Sequence, residues 1–196
     1  MPRQNTASLP VPERLLTVAT RLFRSRGYAE TGINRILEEA GVARASLYLH
    51  YPTKEALGQA YLRSYSDSQF ALLAELMRRA PEPAKFVTAW ARILKREARD
   101  AGLHGCAIAN LRSQTPTDQK KLQTDIRDTA LRTIDAIQNY VRDCQQAGKL
   151  PAQLDAGITA RRIFIAYEGA MQAYQLTSEL ESIDDFAEIA RRLLTE

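Results

Sequence analysis

A chain of 196 residues, 45% of them apolar, is long enough to bury a core and fits one domain or a small domain joined to a larger one. Its two cysteines, Cys106 and Cys144, are too few for a disulfide framework, no CxxC or clustered Cys/His spacing points to zinc, and no run reaches the roughly 20 apolar residues of a membrane span. The net charge of +4 is concentrated at one end: residues 1–54 hold eight Lys/Arg against four Glu, which leaves 27 − 8 = 19 basic and 23 − 4 = 19 acidic residues in the rest. A cationic head on a neutral body is the distribution expected of a nucleic-acid-binding protein. The start, MPRQNTASLPVPERLL, lacks the apolar stretch of a secretory signal, so a reducing cytoplasm is the expected location.

After a polar arm over residues 1–10, Leu15, Val18, Ala19 and Leu22 recur at helical spacing with Phe23 beside them, and Gly27 ends this first helix. Thr31 and Gly32 precede Ile33, Ile36, Leu37 and Ala40, a second helix of about two turns that Gly41 stops. A third spans Arg44 to His50. The residue before Pro52 is pushed out of helical geometry, and Thr53 caps a long fourth helix from Lys54 to Arg79. Pro83 opens a fifth, with Phe86, Trp90, Ile93 and Leu94 on one face, and a short sixth covers His104 to Arg112. Thr115-Pro116-Thr117-Asp118 is read as the cap of a long seventh helix with a stripe from Leu122 to Cys144, which Gly148 and Pro151 end. Asp155 caps an eighth, apolar on more than one side from Ile163 to Tyr174, and Ser182 a last, striped by Phe186, Ile189, Ala190 and Leu193. Alternating β-branched runs between Asn-Gly or Asp-Gly turns are missing. The expected fold is all-α, of about nine helices.

Two short helices joined by a turn at Gly41, after a longer supporting helix, form a helix-turn-helix whose second helix enters the major groove. Residues 14–57 resemble the DNA-binding domain of the TetR (tetracycline-repressor-like) family. The matching pieces are Ala19-x-x-Leu22-Phe23, Gly27-Tyr28, Thr31-x-Ile33, Ile36, Ala40-Gly41-Val42, Ser46-Leu47-Tyr48 and the run from His50 to Leu57. Ala43 and Ala45 depart from the family's usual Ser or Thr and Gly, which bears on operator sequence. The resemblance implies a DNA-binding domain over residues 1–54 and an effector-binding and dimerisation domain over 55–196. It implies that Arg44 and Ser46 reach base edges, that Ala45 between them lies at the DNA, and that Thr31, Tyr48, His50 and Lys54 hold phosphates, with Arg3 in the arm touching backbone or minor groove. Tyr51 is expected to pack, and Arg14, Arg21 and Arg24 to be solvated charges.

For the body, the resemblance implies a homodimer joined through its last two helices, binding twofold operator DNA and released by a small-molecule effector that shifts the fourth helix. Phe86, Trp90, His104, Cys106, Asn110, Tyr140, Tyr167, Met171 and Tyr174 are the candidate effector pocket, an apolar and aromatic set with a few polar ends that suits a lipophilic ligand. Cys106 beside His104 admits a second reading, a repressor that senses oxidants or electrophiles, against which stands the tendency of cysteine to pack as a small hydrophobe. Catalysis by the same pair is the reading from another class. Residues two apart on a helix do not face each other, and no phosphate-binding glycine loop or metal spacing accompanies them, so no enzyme activity, cofactor or metal is expected.

Overall fold

The computed structural model describes residues 8–80, 82–101 and 105–195; Arg3 and His104 lie outside them. All regular elements among the described residues are helices: α1 Val11–Arg26, α2 Ile33–Ala40, α3 Arg44–His50, α4 Lys54–Arg79, α5 Pro83–Ala101, α6 Ala107–Gln114, α7 Lys120–Gln146, α8 Ala156–Thr177 and α9 Glu181–Leu193. None is long and apolar enough to cross a membrane. Caps at two starts follow the sequence: the Thr53 hydroxyl accepts from the Ala56 amide at 3.0 Å, and the Asp155 carboxylate accepts from Ile158 at 2.8 Å. Two expected starts shift. Thr115 does not cap α7, because its hydroxyl donates back to the Leu111 carbonyl at 2.7 Å and closes α6; a turn over 116–119 follows and α7 begins at Lys120. Ser182 lies inside α9, whose cap position is Leu180.

The chain forms two compact units. The first comprises residues up to Ser66 together with Ala107–Arg127; the second comprises Asp67–Cys106 and Asp128–Glu196. The first unit therefore extends past residue 54 and includes α6 and the start of α7.

In this first unit Leu15, Leu22, Ile36, Leu47, Leu57 and Leu122 are fully or almost fully buried and belong to one core. Gly41 makes the tight turn after α2. At φ 60° and ψ 42° it occupies the left-handed region, its amide donates to Glu38, and the Val42 amide donates to Leu37 at 3.1 Å, with both Val42 and Leu37 packed on the core. A side chain with a Cβ is strained in that region, which accounts for glycine.

Tyr28 sits at the centre of the same unit. Its ring is 2% exposed and packs edge-on to Phe23 at 5.0 Å, while its hydroxyl donates to Gln119 Oε1 at 2.7 Å. A Cβ at Gly58 would come within 2.9 Å of the ring and 3.0 Å of Leu122 Cδ2, so α4 approaches Tyr28 closely only because residue 58 has no side chain. Three further bonds tie the 107–127 segment in: Ala29 N–H to Gln114 Oε1 at 3.2 Å, Leu122 N–H to Glu55 Oε1 at 3.0 Å, and the Gln59 amide to the Asp125 carboxylate. Arg21 and Arg35 both pair with Glu39, joining α1 to α2; the hydrogen bond from Arg21 holds the Glu39 carboxyl below its ordinary value. Arg21 is thus an ion-pair partner rather than a solvated charge.

In the second unit α8 packs on α9 and α5 packs on α9. Phe86, Ile137, Val141, Ile163, Met171 and Phe186 are buried there.

Burial raises the Tyr28 phenol from 10.0 to about 12. The folded state keeps its proton where the unfolded state loses it, so the contribution to stability is complete below pH 10 and is lost as pH rises toward 12. Tyr28→Phe should cost about 1 kcal/mol at neutral pH, through the lost bond to Gln119. It should also flatten the fall in stability across that alkaline range; urea titrations at pH 8 and at stepped alkaline pH measure both effects.

Candidate functional site

The short α3 is held by one side chain. Leu47 is 0% exposed, and the rest of the helix has little apolar anchorage. At about 100° per residue, Arg44, Tyr48, Ala45 and Leu49 fall in that order on one arc that runs from beside Leu47 to the side opposite it, and all four are exposed. Ser46 is half-buried and His50 exposed on the flanks of that arc. The N-cap position is Ala43, which supplies no side-chain hydrogen bond, so the first turn of α3 leaves amides free. The Arg44 guanidinium donates to Asn34 Oδ1 on α2 and lies 3.4 Å from the Tyr48 hydroxyl. Its planar fork is thereby aimed along the exposed face before any ligand arrives.

Two expected phosphate contacts are engaged elsewhere. Thr31 is 1% exposed and its hydroxyl donates to the Gly27 carbonyl at 2.7 Å, so the side chain closes the loop after α1 instead of facing outward; Gly32 holds the N-cap position of α2. Lys54 donates to the Ala29 carbonyl at 3.1 Å and stacks its ammonium 4.6 Å from the Tyr28 ring centroid, and burial pulls its pKa down. It joins the start of α4 to the loop between α1 and α2. Tyr51 packs, as expected, with its hydroxyl donating to the Pro12 carbonyl at 3.2 Å.

Among the candidate pocket residues, Phe86, Trp90, Tyr140, Tyr167, Met171, Tyr174 and Cys106 belong to the second unit and Asn110 to the first. Trp90 stacks on Tyr167 at 5.1 Å and meets Phe186 edge-on at 5.0 Å, while Phe86 lies 4.7 Å from Tyr140. The polar ends are bonded: Tyr140 donates to the Ala80 carbonyl at 3.1 Å and Tyr174 to Ala98 at 3.5 Å. Cys106 is 6% exposed, and its thiol bonds to Glu168, whose carboxyl burial raises against the opposing pull of that bond. Phe186 and Glu168 join this set through tertiary packing; the sequence shows Phe186 as one of a helix stripe and Glu168 as an ordinary helix acid. No group of three His, Cys, Asp or Glu able to hold a metal occurs among the described residues.

With these two regions in place, comparison with known proteins decides the family. Residues 15–61 match the family of bacterial regulatory proteins called tetR, and residues 84–190 match the tetracyclin repressor-like C-terminal domain, which covers more than half of the chain. The chain belongs to the TetR family. Over 182 residues it is 24% identical to the HTH-type transcriptional repressor DhaR of Mycobacterium sp. strain GP1, covering 92% of this chain and 90% of that one. The HTH-type transcriptional regulator LmrA of Bacillus subtilis is 35% identical over 79 residues, 40% of this chain and 42% of its own. The crystal structure of a TetR-family regulator from Streptomyces coelicolor superposes with a TM-score of 0.80 at 27% identity, over 94% of both chains. The TetR-family protein described here is a DNA-binding transcriptional regulator, with α2 and α3 as its helix-turn-helix.

Asn34 and Leu49 were missed at the level of sequence. Nothing in the spacing separates Asn34 from any polar residue of a first helical turn, and Leu49, 79% exposed, reads as a core leucine until the facing of α3 is known. Arg44→Ala should lower the affinity for the preferred duplex by about 1–3 kcal/mol and relax preference at one base position. Lys54→Ala should lower the melting temperature of the protein, because it removes the bond to Ala29 and the stacking on Tyr28. Salt-matched mobility-shift assays and thermal melts separate the two effects.

Proposed function

We propose that this TetR-family regulator is a homodimeric repressor that a small lipophilic effector releases from a palindromic operator. The observation that carries the reading is the facing of α3: Leu47 anchors it, and Arg44, Ala45, Tyr48 and Leu49 are presented outward together. Arg44 reads a base edge through its bidentate fork, Ser46 reaches base edges beside it with Ala45 between them, and Tyr48 and His50 hold the flanking phosphates. Residues 1–54 supply the DNA contacts, and residues 55–196 supply effector binding and dimerisation.

Support for the dimer comes from α8. Ile158, Ile165 and Leu176 are exposed large apolar residues, 43%, 62% and 77%, and with Gly169 they recur on one stripe of the helix. Nothing lies within 4 Å of a Cβ built at Gly169, which leaves the room that close approach of a partner helix requires. A stripe this apolar is costly to leave in water. The effector reading rests on the mostly buried apolar and aromatic set of Phe86, Trp90, Tyr140, Tyr167 and Met171, with the Tyr140 hydroxyl bonded to Ala80. Burial of Cys106 and its bond to Glu168 support a packing role for that thiol, and two buried cysteines outside any disulfide fit a reducing cytoplasm.

Selecting duplexes bound from a random library by the purified protein tests the reading. A twofold-symmetric enriched sequence is expected, and absence of enrichment overturns it. Ile165→Asp with Leu176→Asp should convert the dimer to a monomer by light scattering and weaken binding to that sequence about a hundredfold, since one half-site no longer recruits the other. A dimer that persists in the double variant removes α8 from the interface.

A further inference from the structure

The helical body carries a concavity that the proposed repressor function does not use. Between α5 and α9, both in the second unit, lies an open groove of about 630 Å³. That size accommodates a nucleotide-sized molecule. One wall is cationic: Arg92, Lys95, Arg96 and Arg99 follow one another at i, i+3, i+4 and i+7 on α5, so all four project from one face. The opposite wall on α9 carries Asp184, Asp185 and Glu188, with Arg191 at its end.

The charges do not cancel across the groove. Lys95 is paired with Asp184 at 2.6 Å, and Glu188 is paired along its own helix with Arg192. Arg92, Arg96 and Arg99 line the groove without an ion pair to a described carboxylate, and of the acids that line it only Asp185 is left without one. Guanidiniums in a concave wall raise the local concentration of anions and bind phosphate oxygens through paired N–H donors. A row of cations on an isolated helix is ordinary solvated charge; here a second helix encloses it. The acidic wall selects against a continuous phosphodiester backbone, which would press against Asp184, Asp185 and Glu188. It suits instead a small ligand that presents phosphate to α5 and hydroxyl or amino donors to α9. On α9 Asp184, Ala187 and Arg191 lie on a different side from exposed Ile189, while Asp185 sits one turn before it.

We propose that the α5–α9 groove binds a small phosphorylated molecule of nucleotide size, with Arg92, Arg96 and Arg99 holding the phosphates and Asp185 accepting from the remainder. The proposal is independent of which effector occupies the aromatic cluster.

Isothermal titration of the full-length protein with ADP and with inorganic pyrophosphate, in low-salt buffer, tests it. One saturable site per chain is expected for each probe. Arg92→Ala with Arg96→Ala should weaken both by about tenfold per guanidinium removed. Arg78→Ala with Arg79→Ala, cations outside the groove that already pair with Glu75, should leave both affinities unchanged. Asp185→Ala should tighten pyrophosphate by removing a facing charge, and this gain shows that the variant is folded. Failure of both probes to bind overturns the proposal, as does equal weakening by the Arg78/Arg79 pair. Binding of pyrophosphate with exclusion of ADP overturns the nucleotide-sized assignment, and loss of duplex DNA binding alone in the Arg92/Arg96 variant would give the groove to DNA instead.

Discussion

Tyr28 is the point on which the DNA-binding unit is assembled. Its ring fills the space between Phe23, Gly58 and Leu122, its hydroxyl is committed to Gln119, and the ammonium of Lys54 lies over its face. One side chain thereby joins the loop after α1 to the start of α4 and to the turn before α7. A phenol is suited to this place because its ring satisfies an apolar pocket while its hydroxyl finds an acceptor in Gln119, and a buried hydroxyl left without a partner would be costly. Lys54 and Thr31, both expected to face phosphate, are drawn inward by the same local demand: the carbonyls of Ala29 and Gly27 border the Tyr28 loop and each takes a donor from them.

The recognition helix depends on this assembly. A helix of seven residues has too few internal hydrogen bonds to persist alone, and α3 has neither a side-chain cap nor an acidic first turn to help it. What holds it is Leu47 in a core that also contains Leu15, Ile36 and Leu57, and the Gly41 turn that sets its angle to α2. With the anchor on one side, the other side is free to be polar. The Arg44 fork is steadied by Asn34 from the neighbouring helix, which reduces the conformational freedom lost when it meets a base.

The body spends its residues differently. Its aromatic residues stack on one another with the Tyr140 and Tyr174 hydroxyls bonded, while a row of cations lies along the groove between α5 and α9 and a stripe of exposed apolar side chains lies on α8. α4 and α7 each begin in the first unit and end in the second, so a change in the packing of either helix is covalently connected to the elements around Tyr28.

Helix order, most helix limits and the helix-turn-helix were legible in the sequence, because apolar spacing, Gly stops and Ser/Thr/Asp/Pro starts are local signals that depend on a few neighbouring residues. Thr53 and Asp155 cap as expected for that reason. Thr115 and Ser182 mislead for a related one: a hydroxyl that can cap the next helix can equally bond back to the previous turn or sit within the first turn, and packing chooses between them. Family resemblance to TetR proteins was likewise carried by a contiguous motif from Ala19 to Leu57. Tertiary structure alone decided that residues 107–127 join the head, that Thr31 and Lys54 turn inward, that Asn34 supports Arg44, and that cations of α5 and acids of α9 enclose a groove. Each of these depends on side chains separated by up to about a hundred positions coming within a few ångströms, and no periodicity along one chain records which distant faces will meet.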